Sequence, residues 1–160
     1  MKKILAGLMS AALLAVPALA AEPQQPAAWA VSQLADSYAL GLVDDNYTSY
    51  IESPVTMEQL ESMTDVVAAK LALLELDQRT ADAVGLVVDT TRGGVMNALY
   101  QEAAAYELPG VEKGTTAFLT SLGVVKGGSA GDLALERTCT YQEAMVMANR
   151  LILAVYDQQD

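Results

Sequence analysis

Three helix-forming segments of this chain begin in the same way, with a threonine that precedes an apolar stripe. The threonines are Thr56, Thr91 and Thr140. A threonine side chain at this position can accept a hydrogen bond from a backbone N–H group that the first helical turn leaves without a partner. Gln59 and Glu143 stand three residues after the first and third threonines and complete the capping-box pattern. The middle segment has a glycine at that position, so we predict that its helix has the least stable start.

The apolar residues that follow these threonines, and those of two further segments, recur at the spacing of amphipathic helices. No segment shows the alternation typical of a strand, so the predicted fold class is all-α. A weaker pattern suggests one more short helix around 81–84. The stronger predicted helices cover 29–41, 57 to about 74, 95–106, 114–122 and 141 to about 156.

We expect the three helices that follow the threonines to pack their apolar stripes against each other. The middle one carries the stripe Val95, Met96, Leu99, Ala103 and Tyr106, which Pro109-Gly110 ends. In the first predicted helix of the chain the stripe is Val31, Leu34, Ala35, Tyr38 and Leu42, with Gly41 as a C-terminal cap. In the second it is Leu60, Met63, Val67, Leu71 and Leu74, widened by Val66, Ala68 and Leu73. In the last it is Ala144, Met147, Ala148, Leu151 and Val155.

The N-terminus has the three regions of a secretory signal peptide. Lys2 and Lys3 precede an apolar run, which is followed by small residues that end at Ala20. The run is shorter than the roughly 20 residues of a membrane-spanning helix. We therefore expect residues 1–20 to be removed with no transmembrane anchor left, 21–28 to form a flexible lead, and 29–160 to form one secreted domain.

The charge and cysteine content limit the partners and the means of stabilisation. The chain has 9 basic and 20 acidic residues, a net charge of −11, and loss of Lys2 and Lys3 makes the mature chain more negative still. Nucleic acid is therefore not an expected partner, and an anionic wall polymer could bind only at a local basic site. The single cysteine, Cys139, cannot form an internal disulfide and is expected to be a small buried hydrophobe.

The residues that catalysis commonly uses are sparse. The absence of histidine excludes histidine-dependent triads and argues against a zinc site. Two carboxylates could act on a glycosidic bond, but no spacing selects a pair. A calcium site at Asp44, Asp45, Asn46 and Glu52 would not follow the EF-hand spacing. We predict no catalytic residue, no metal site and no cofactor, with a hydrolase kept as a third hypothesis.

The context of the threonine starts resembles the S-layer homology (SLH) family. Its repeats run from a Trp-Ala helix start through Gly-Ile/Val-Val-x-Gly and a glycine-bearing loop to Thr-Arg-Ala-Glu. The third copy, GVVKGGSAGDLALERTCTYQEAMVMANRL, matches best, and the first, WAVSQLADSYALGLVDDNYTSYIESPVTMEQL, matches at its tryptophan, glycine and threonine. The middle copy is truncated before Thr91. The repeats cover about 29–75, 76–107 and 111–157.

The resemblance implies three degenerate helix-loop-helix repeats around a central helical bundle, and binding to pyruvylated cell-wall polysaccharide. In the family the motif arginine meets the acidic groups of the ligand. Here that arginine is present only as Arg92, while Met57 and Tyr141 occupy the other two positions. Trp29 and Lys126 are further candidate ligand-binding residues. Their alternative roles are a core anchor for Trp29 and a solvated side chain for Lys126, as for Arg92.

The leading hypothesis from the sequence is a secreted binding module associated with the cell wall or cell surface. Its expected partner is a cell-wall polysaccharide or an envelope protein. The alternative is a protein-interaction or scaffold module that kept the repeat fold and lost the carbohydrate site, which the residues at positions 57 and 141 favour.

Overall fold

The computed structural model describes residues 21–80, 85–127 and 131–159. These residues form five α-helices and two short 3₁₀ helices, with isolated bridges but no strand, so the all-α prediction is confirmed. The predicted signal peptide and the weak helix around 81–84 lie outside the described residues. The α-helices are α1 (Ala28–Leu40), α2 (Met57–Ala72), α3 (Arg92–Ala104), α4 (Thr115–Ser121) and α5 (Tyr141–Asp157), and the 3₁₀ helices are Tyr47–Ser49 and Val111–Lys113.

Helix α5 is the central element of the domain. It packs against α1, α2 and α3. Residues 144–149 are all buried, as is the whole predicted stripe of this helix. A helix that is buried on nearly every side must be surrounded by other elements, and here these are α1, α2 and α3.

Helix α2 buries the face that its sequence predicts. Leu60, Met63, Val67 and Leu71 are buried, and this part of the prediction is confirmed. Leu73 was expected to widen the stripe, but it is 75% exposed. It lies one residue past the end of the helix, where the helical spacing no longer fixes its direction.

Helix α1 packs through a face that only partly matches the predicted one: Leu34 packs against the core and Leu42, just past the helix, is buried. Ala30 and Ser37 are its buried residues, whereas Val31 and Tyr38 of the predicted stripe are 52% and 51% exposed. The small side chains of Ala30 and Ser37 allow a close approach to α5. Gly41 does cap the helix: at φ 82° its N–H group bonds to the Ser37 and Tyr38 carbonyls, as predicted.

Helix α3 ends earlier than its stripe predicts. Val95, Met96, Leu99 and Ala103 are buried, but the helix stops at Ala104 rather than at the Pro-Gly pair that follows Leu108. The reason is a competing backbone pairing, in which the Glu107 N–H donates to the Asp77 carbonyl and the Arg79 N–H to the Ala105 carbonyl. Helix α4 lies within its predicted range.

The predicted flexible lead contacts the domain. The Gln24 side chain accepts from the Glu52 N–H and donates to the Ser53 hydroxyl, both at 2.8 Å. The Ala27 N–H donates to the Gln142 side chain at 2.8 Å, and α1 begins at the next residue. No helix of the described residues is long and apolar enough to cross a membrane.

Candidate functional site

The first and third threonine starts have the predicted capping boxes. At α2 the Thr56 hydroxyl accepts from the Gln59 N–H at 3.2 Å, and the Gln59 side chain accepts from the Thr56 N–H at 3.0 Å. Thr140 and Glu143 make the same pair of bonds at α5. Both capping-box predictions are confirmed.

The middle start satisfies its backbone in another way. The Thr91 hydroxyl accepts from the Gly94 N–H at 3.1 Å, but the return bond to the Thr91 N–H comes from Asp89, at 2.9 Å. The Asp89 carboxylate also accepts from the Thr91 hydroxyl. These bonds from Thr91 hold the pKa of Asp89 below its usual range.

Gly94 has a steric role in this start. A Cβ atom at this position would lie 2.5 Å from the Asp89 N atom and 2.6 Å from its carbonyl oxygen. Any larger residue would therefore push the Asp89 backbone away. This role of Asp89 was not predicted, because an aspartate two residues before the threonine is not part of the capping box.

The three threonine segments meet around the start of α5. We call this meeting point the hub, and it comprises residues 51–59, 86–94 and 135–143. The segment before α5 lies between the other two. The Val55 N–H donates to the Cys139 carbonyl at 2.9 Å, and the Cys139 N–H donates to the Thr90 carbonyl at 3.0 Å. The residue before each threonine is thus joined to its counterpart in the next segment.

Further hub bonds occupy the first N–H groups of α5 and α3. At α5, Tyr141 and Gln142 donate to the carbonyls of Ser53 and Ile51, both at 2.9 Å. These acceptors lie three and five residues before Thr56. Such N–H groups have no partner within their own helix, so the neighbouring segment supplies it.

At α3 the corresponding donors find acceptors in the same register. Arg92 and Gly93 donate to the carbonyls of Arg137 and Leu135, both at 2.8 Å. These carbonyls lie three and five residues before Thr140. No corresponding bonds join the described residues of 86–90 to the start of α2. Two pairs of hub segments are therefore joined by these bonds, and we call them the closed joints. The pair formed by the middle segment and the start of α2 is not joined in this way, and we call it the open joint.

Two arginines of the hub share one carboxylate. The Arg137 guanidinium donates two hydrogen bonds to Glu143, of 2.5 and 3.0 Å, and the Arg92 Nη1 atom lies 3.4 Å from Glu143 Oε1. The side chains of Arg92 and Glu143 are 14% and 13% exposed, whereas that of Arg137 is 49% exposed. We call Arg92, Arg137 and Glu143 the arginine cluster. In the described chain these are the only ion pairs.

The cluster is electrostatically asymmetric. Burial alone would raise the pKa of Glu143, but hydrogen bonds from Arg137 and from the Thr140 N–H, with the charge of Arg92, hold it below its usual range. The pKa of Arg137 is raised by its bond to Glu143. Glu143 is therefore ionised at neutral pH, and two guanidinium charges face one carboxylate charge.

Cys139 lies within the hub but has no reactive character. It is fully buried, and burial raises the pKa of its thiol to about 12. A thiol with so high a pKa is almost entirely protonated at neutral pH and is a poor nucleophile. The prediction of a small buried hydrophobe is confirmed.

The other candidate ligand residues are not assembled around Arg92. Trp29 is 50% exposed on α1, so the core-anchor role is wrong for it. Lys126 is exposed after α4. Neither makes a hydrogen bond or ion pair with Arg92 among the described residues. At the other two motif positions, Met57 is 40% exposed, and Tyr141 is buried with its hydroxyl donating to the Leu42 carbonyl.

A shallow cavity of about 340 Å³ lies beside the start of α3. Its lining includes Asp89, Gly93, Asn97 and Leu135, but neither arginine of the cluster. It thus borders the hub through residues that neighbour the arginines in sequence.

In the loop considered for calcium, Asp44 accepts hydrogen bonds from the Tyr50 hydroxyl and the Asn46 N–H. The described residues contain no group of three or more metal-binding side chains.

Arg137 was not predicted from the sequence as a candidate binding residue. It belongs to no part of the repeat motif and stands six residues before Glu143, in a loop without helical spacing. Only the pairing of residues 135–137 with the start of α3 brings it to Arg92.

A comparison of the chain with protein families, curated proteins and solved structures gave no match. The family resemblance thus stays a prediction.

Proposed function

We propose that this protein is a secreted, non-catalytic binding module of the cell envelope, related in plan to SLH domains. In this proposal Arg92 binds an acidic group of a cell-wall polysaccharide. The observation that carries it is the small number of bonds that the Arg92 side chain makes. Arg92 starts α3 at the hub, and its guanidinium makes one long hydrogen bond, of 3.4 Å, among the described residues. A guanidinium has five N–H donors, so most of them remain for water or a ligand.

The unused donors of Arg92 are not completely buried, although its side chain is only 14% exposed. The buried side-chain atoms without a partner in the described chain are Ser37 Oγ and Asn149 Oδ1, and no atom of Arg92 is among them. A half-engaged guanidinium suits a carboxylate, since its planar donors match both oxygens of that group. An anionic polymer could bind so acidic a protein only at a local basic site, and Arg92 supplies such a positive charge.

The register of the hub bonds supports the repeat plan. At both closed joints the acceptors lie three and five residues before a threonine, and the residues just before the threonines are joined to each other. One geometric relation between successive segments accounts for both sets. The open joint involves the middle segment, whose loop is the one that the sequence shortens.

A sedimentation assay with purified cell-wall sacculi tests the proposal. The mature protein should sediment with the sacculi, and Arg92→Ala should remain in the supernatant. Arg79→Ala is the matched control, because it removes the same charge from a side chain that makes no hydrogen bond or ion pair in the described chain. Failure of the parent protein to bind, or equal binding by Arg92→Ala, would exclude this function.

A second candidate is a protein-interaction module that lacks the carbohydrate site. It is favoured by the exposed apolar face of α1, where Val31 and Tyr38 are about half exposed, and by the absence of arginine at positions 57 and 141. Chemical crosslinking of the mature protein in intact envelopes tests it. A single adduct with an envelope protein that Tyr38→Asp abolishes and Arg92→Ala retains would support this candidate, whereas an adduct unchanged by Tyr38→Asp would contradict it.

A further inference from the structure

The arginine cluster holds more donors than its carboxylate can accept. Glu143 accepts from Arg137 twice, from Arg92 once, and from both the N–H group and the hydroxyl of Thr140. A carboxylate offers about four lone-pair positions, so Glu143 is saturated. Arg137 Nη1 also donates to the Thr138 carbonyl at 3.3 Å, and the remaining N–H groups of the two guanidinium groups have no protein acceptor in the described chain.

The cluster also carries a positive charge without a paired carboxylate. Asp89 and Glu136 are the acidic residues nearest to the arginines in sequence, but neither forms an ion pair in the described chain. The Asp89 carboxylate is instead bonded to the backbone and hydroxyl groups of Thr91. One further carboxylate would therefore balance two guanidinium charges with two negative charges.

Arg137 is the accessible half of the cluster. Its side chain is 49% exposed, against 14% for Arg92. Its position is fixed, because the carbonyl of Arg137 accepts the Arg92 N–H at 2.8 Å and its guanidinium is held by both oxygens of Glu143. A ligand that approaches the hub from solvent thus meets Arg137 before it meets Arg92.

We propose that Arg137 is a second ligand-binding arginine and that the ligand is a carboxylate-bearing saccharide. Its carboxylate binds the free N–H groups of Arg137 and Arg92 beside Glu143. Glu143 positions both guanidinium groups and competes electrostatically with the ligand. This inference rests on the proposed polysaccharide-binding function and adds a binding residue that the repeat motif does not contain.

Calorimetric titration with soluble cell-wall polysaccharide tests the inference. The parent should bind the native polymer and lose binding to the same polymer after its carboxyl groups are reduced to alcohols. Arg137→Gln should weaken binding about tenfold or more, as expected for the loss of charge-assisted hydrogen bonds. Arg79→Gln is the matched control and should change affinity less than about twofold. Thermal unfolding of each variant confirms that it is folded.

Glu143→Gln separates a ligand-binding role from a structural one. The substitution keeps a capping-box residue, since Gln59 makes the same bonds at α2, and it removes the competing charge. Binding should become tighter by several-fold, because a ligand carboxylate then faces two uncompensated guanidinium charges. If the cluster is only structural, loss of the carboxylate leaves affinity unchanged or weaker, which contradicts the inference.

The outcomes distinguish this inference from the proposed function. If Arg92→Gln abolishes binding while Arg137→Gln binds as the parent does, the role of Arg137 is wrong and the proposed function stands. If the carboxyl-reduced polymer binds as well as the native one, the assignment of the ligand group is wrong. If the parent binds neither polymer, the proposed function fails and the inference fails with it.

Discussion

The starts of α5 and α3 lie side by side in the hub and satisfy equivalent backbone groups with different side chains. At α5, Thr140 and Glu143 exchange hydrogen bonds within the first helical turn. At α3, the second bond comes from Asp89, which precedes the threonine, and Gly94 leaves space for it. A helix start that lacks a capping-box residue in its sequence is therefore not necessarily uncapped. The shape of the preceding loop decides which side chain completes the cap.

Substitution of Gly94 should have the largest effect on this comparison. Gly94→Gln gives the sequence a complete capping-box pattern, but the added Cβ atom would clash with the Asp89 backbone. We therefore expect the free energy of unfolding to fall by about 2–3 kcal/mol. Urea denaturation measures it. Gly93→Ala is the control, because its Cβ contacts are longer, at 3.2 and 3.3 Å from Leu135. A Gly94→Gln variant as stable as the parent would mean that Asp89 does not require the glycine.

Removal of a boxed threonine should have a smaller effect. Thr140→Ala should lower the free energy of unfolding by about 1–2 kcal/mol, because it removes a cap from the helix on which α1, α2 and α3 pack. Thr56→Ala at the exposed start of α2 should cost about 0.5–1 kcal/mol. Both values come from urea denaturation, and Thr120→Ala, on an exposed position of α4, is the control. A larger loss for Thr56→Ala than for Thr140→Ala would contradict this ranking.

The features that sequence predicted are those that local chemistry decides. The stripes of α2 and α5, the cap at Gly41 and both capping boxes depend on residues within one or two helical turns. The buried face of α1 was predicted only in part: Leu34 packs against the core as expected, but Ala30 and Ser37 are buried while the apolar Val31 and Tyr38 are about half exposed. Hydrophobicity alone does not show which face fits a partner helix closely.

The residues of the candidate site also divide into those that the sequence predicted and those that only the tertiary structure brings together. Arg92 was identified through the SLH resemblance, because it occupies the position of the motif arginine directly after a threonine. Arg137 and the second role of Glu143 depend on backbone bonds between loops that are more than 40 residues apart in sequence. The role of Asp89 depends on the path of the chain before Thr91. Such pairings require the tertiary structure, so the sequence predicted one member of the arginine cluster as a ligand residue and another only as a cap.

Removal of the Asp89 carboxylate tests the unboxed start directly. Asp89→Ala leaves the Thr91 N–H without its protein acceptor, so stability should fall, by less than with Thr140→Ala because this loop lies nearer the surface. Asp89→Asn keeps an acceptor oxygen and should recover part of the loss. Hydrogen exchange at the first turn of α3 reports the effect locally. Unchanged exchange in Asp89→Ala would show that water replaces this carboxylate without cost.

The smallest expected effect is the acid sensitivity of the two starts. The pKa values of Asp89 and Glu143 are both lowered in the folded protein. The unfolded chain then binds protons more readily, so each carboxylate contributes stability above its ordinary pKa of about 4 and loses that contribution as the pH falls through its lowered pKa. Urea denaturation between about pH 6 and pH 2.5 should show a shallower decline for Asp89→Asn and for Glu143→Gln.

Glu102 provides a control of opposite sign for this acid sensitivity. Burial and the charge of Asp65 raise its pKa, so its protonation in the folded state partly offsets the acid loss. Glu102→Gln removes that offset and should make the decline steeper. Since Arg137 bonds directly to Glu143 and no arginine pairs with Asp89, salt should weaken the contribution of Glu143 more than that of Asp89. Equal salt dependence in the two variants would contradict the distinction between an ion-paired start and one held by neutral donors.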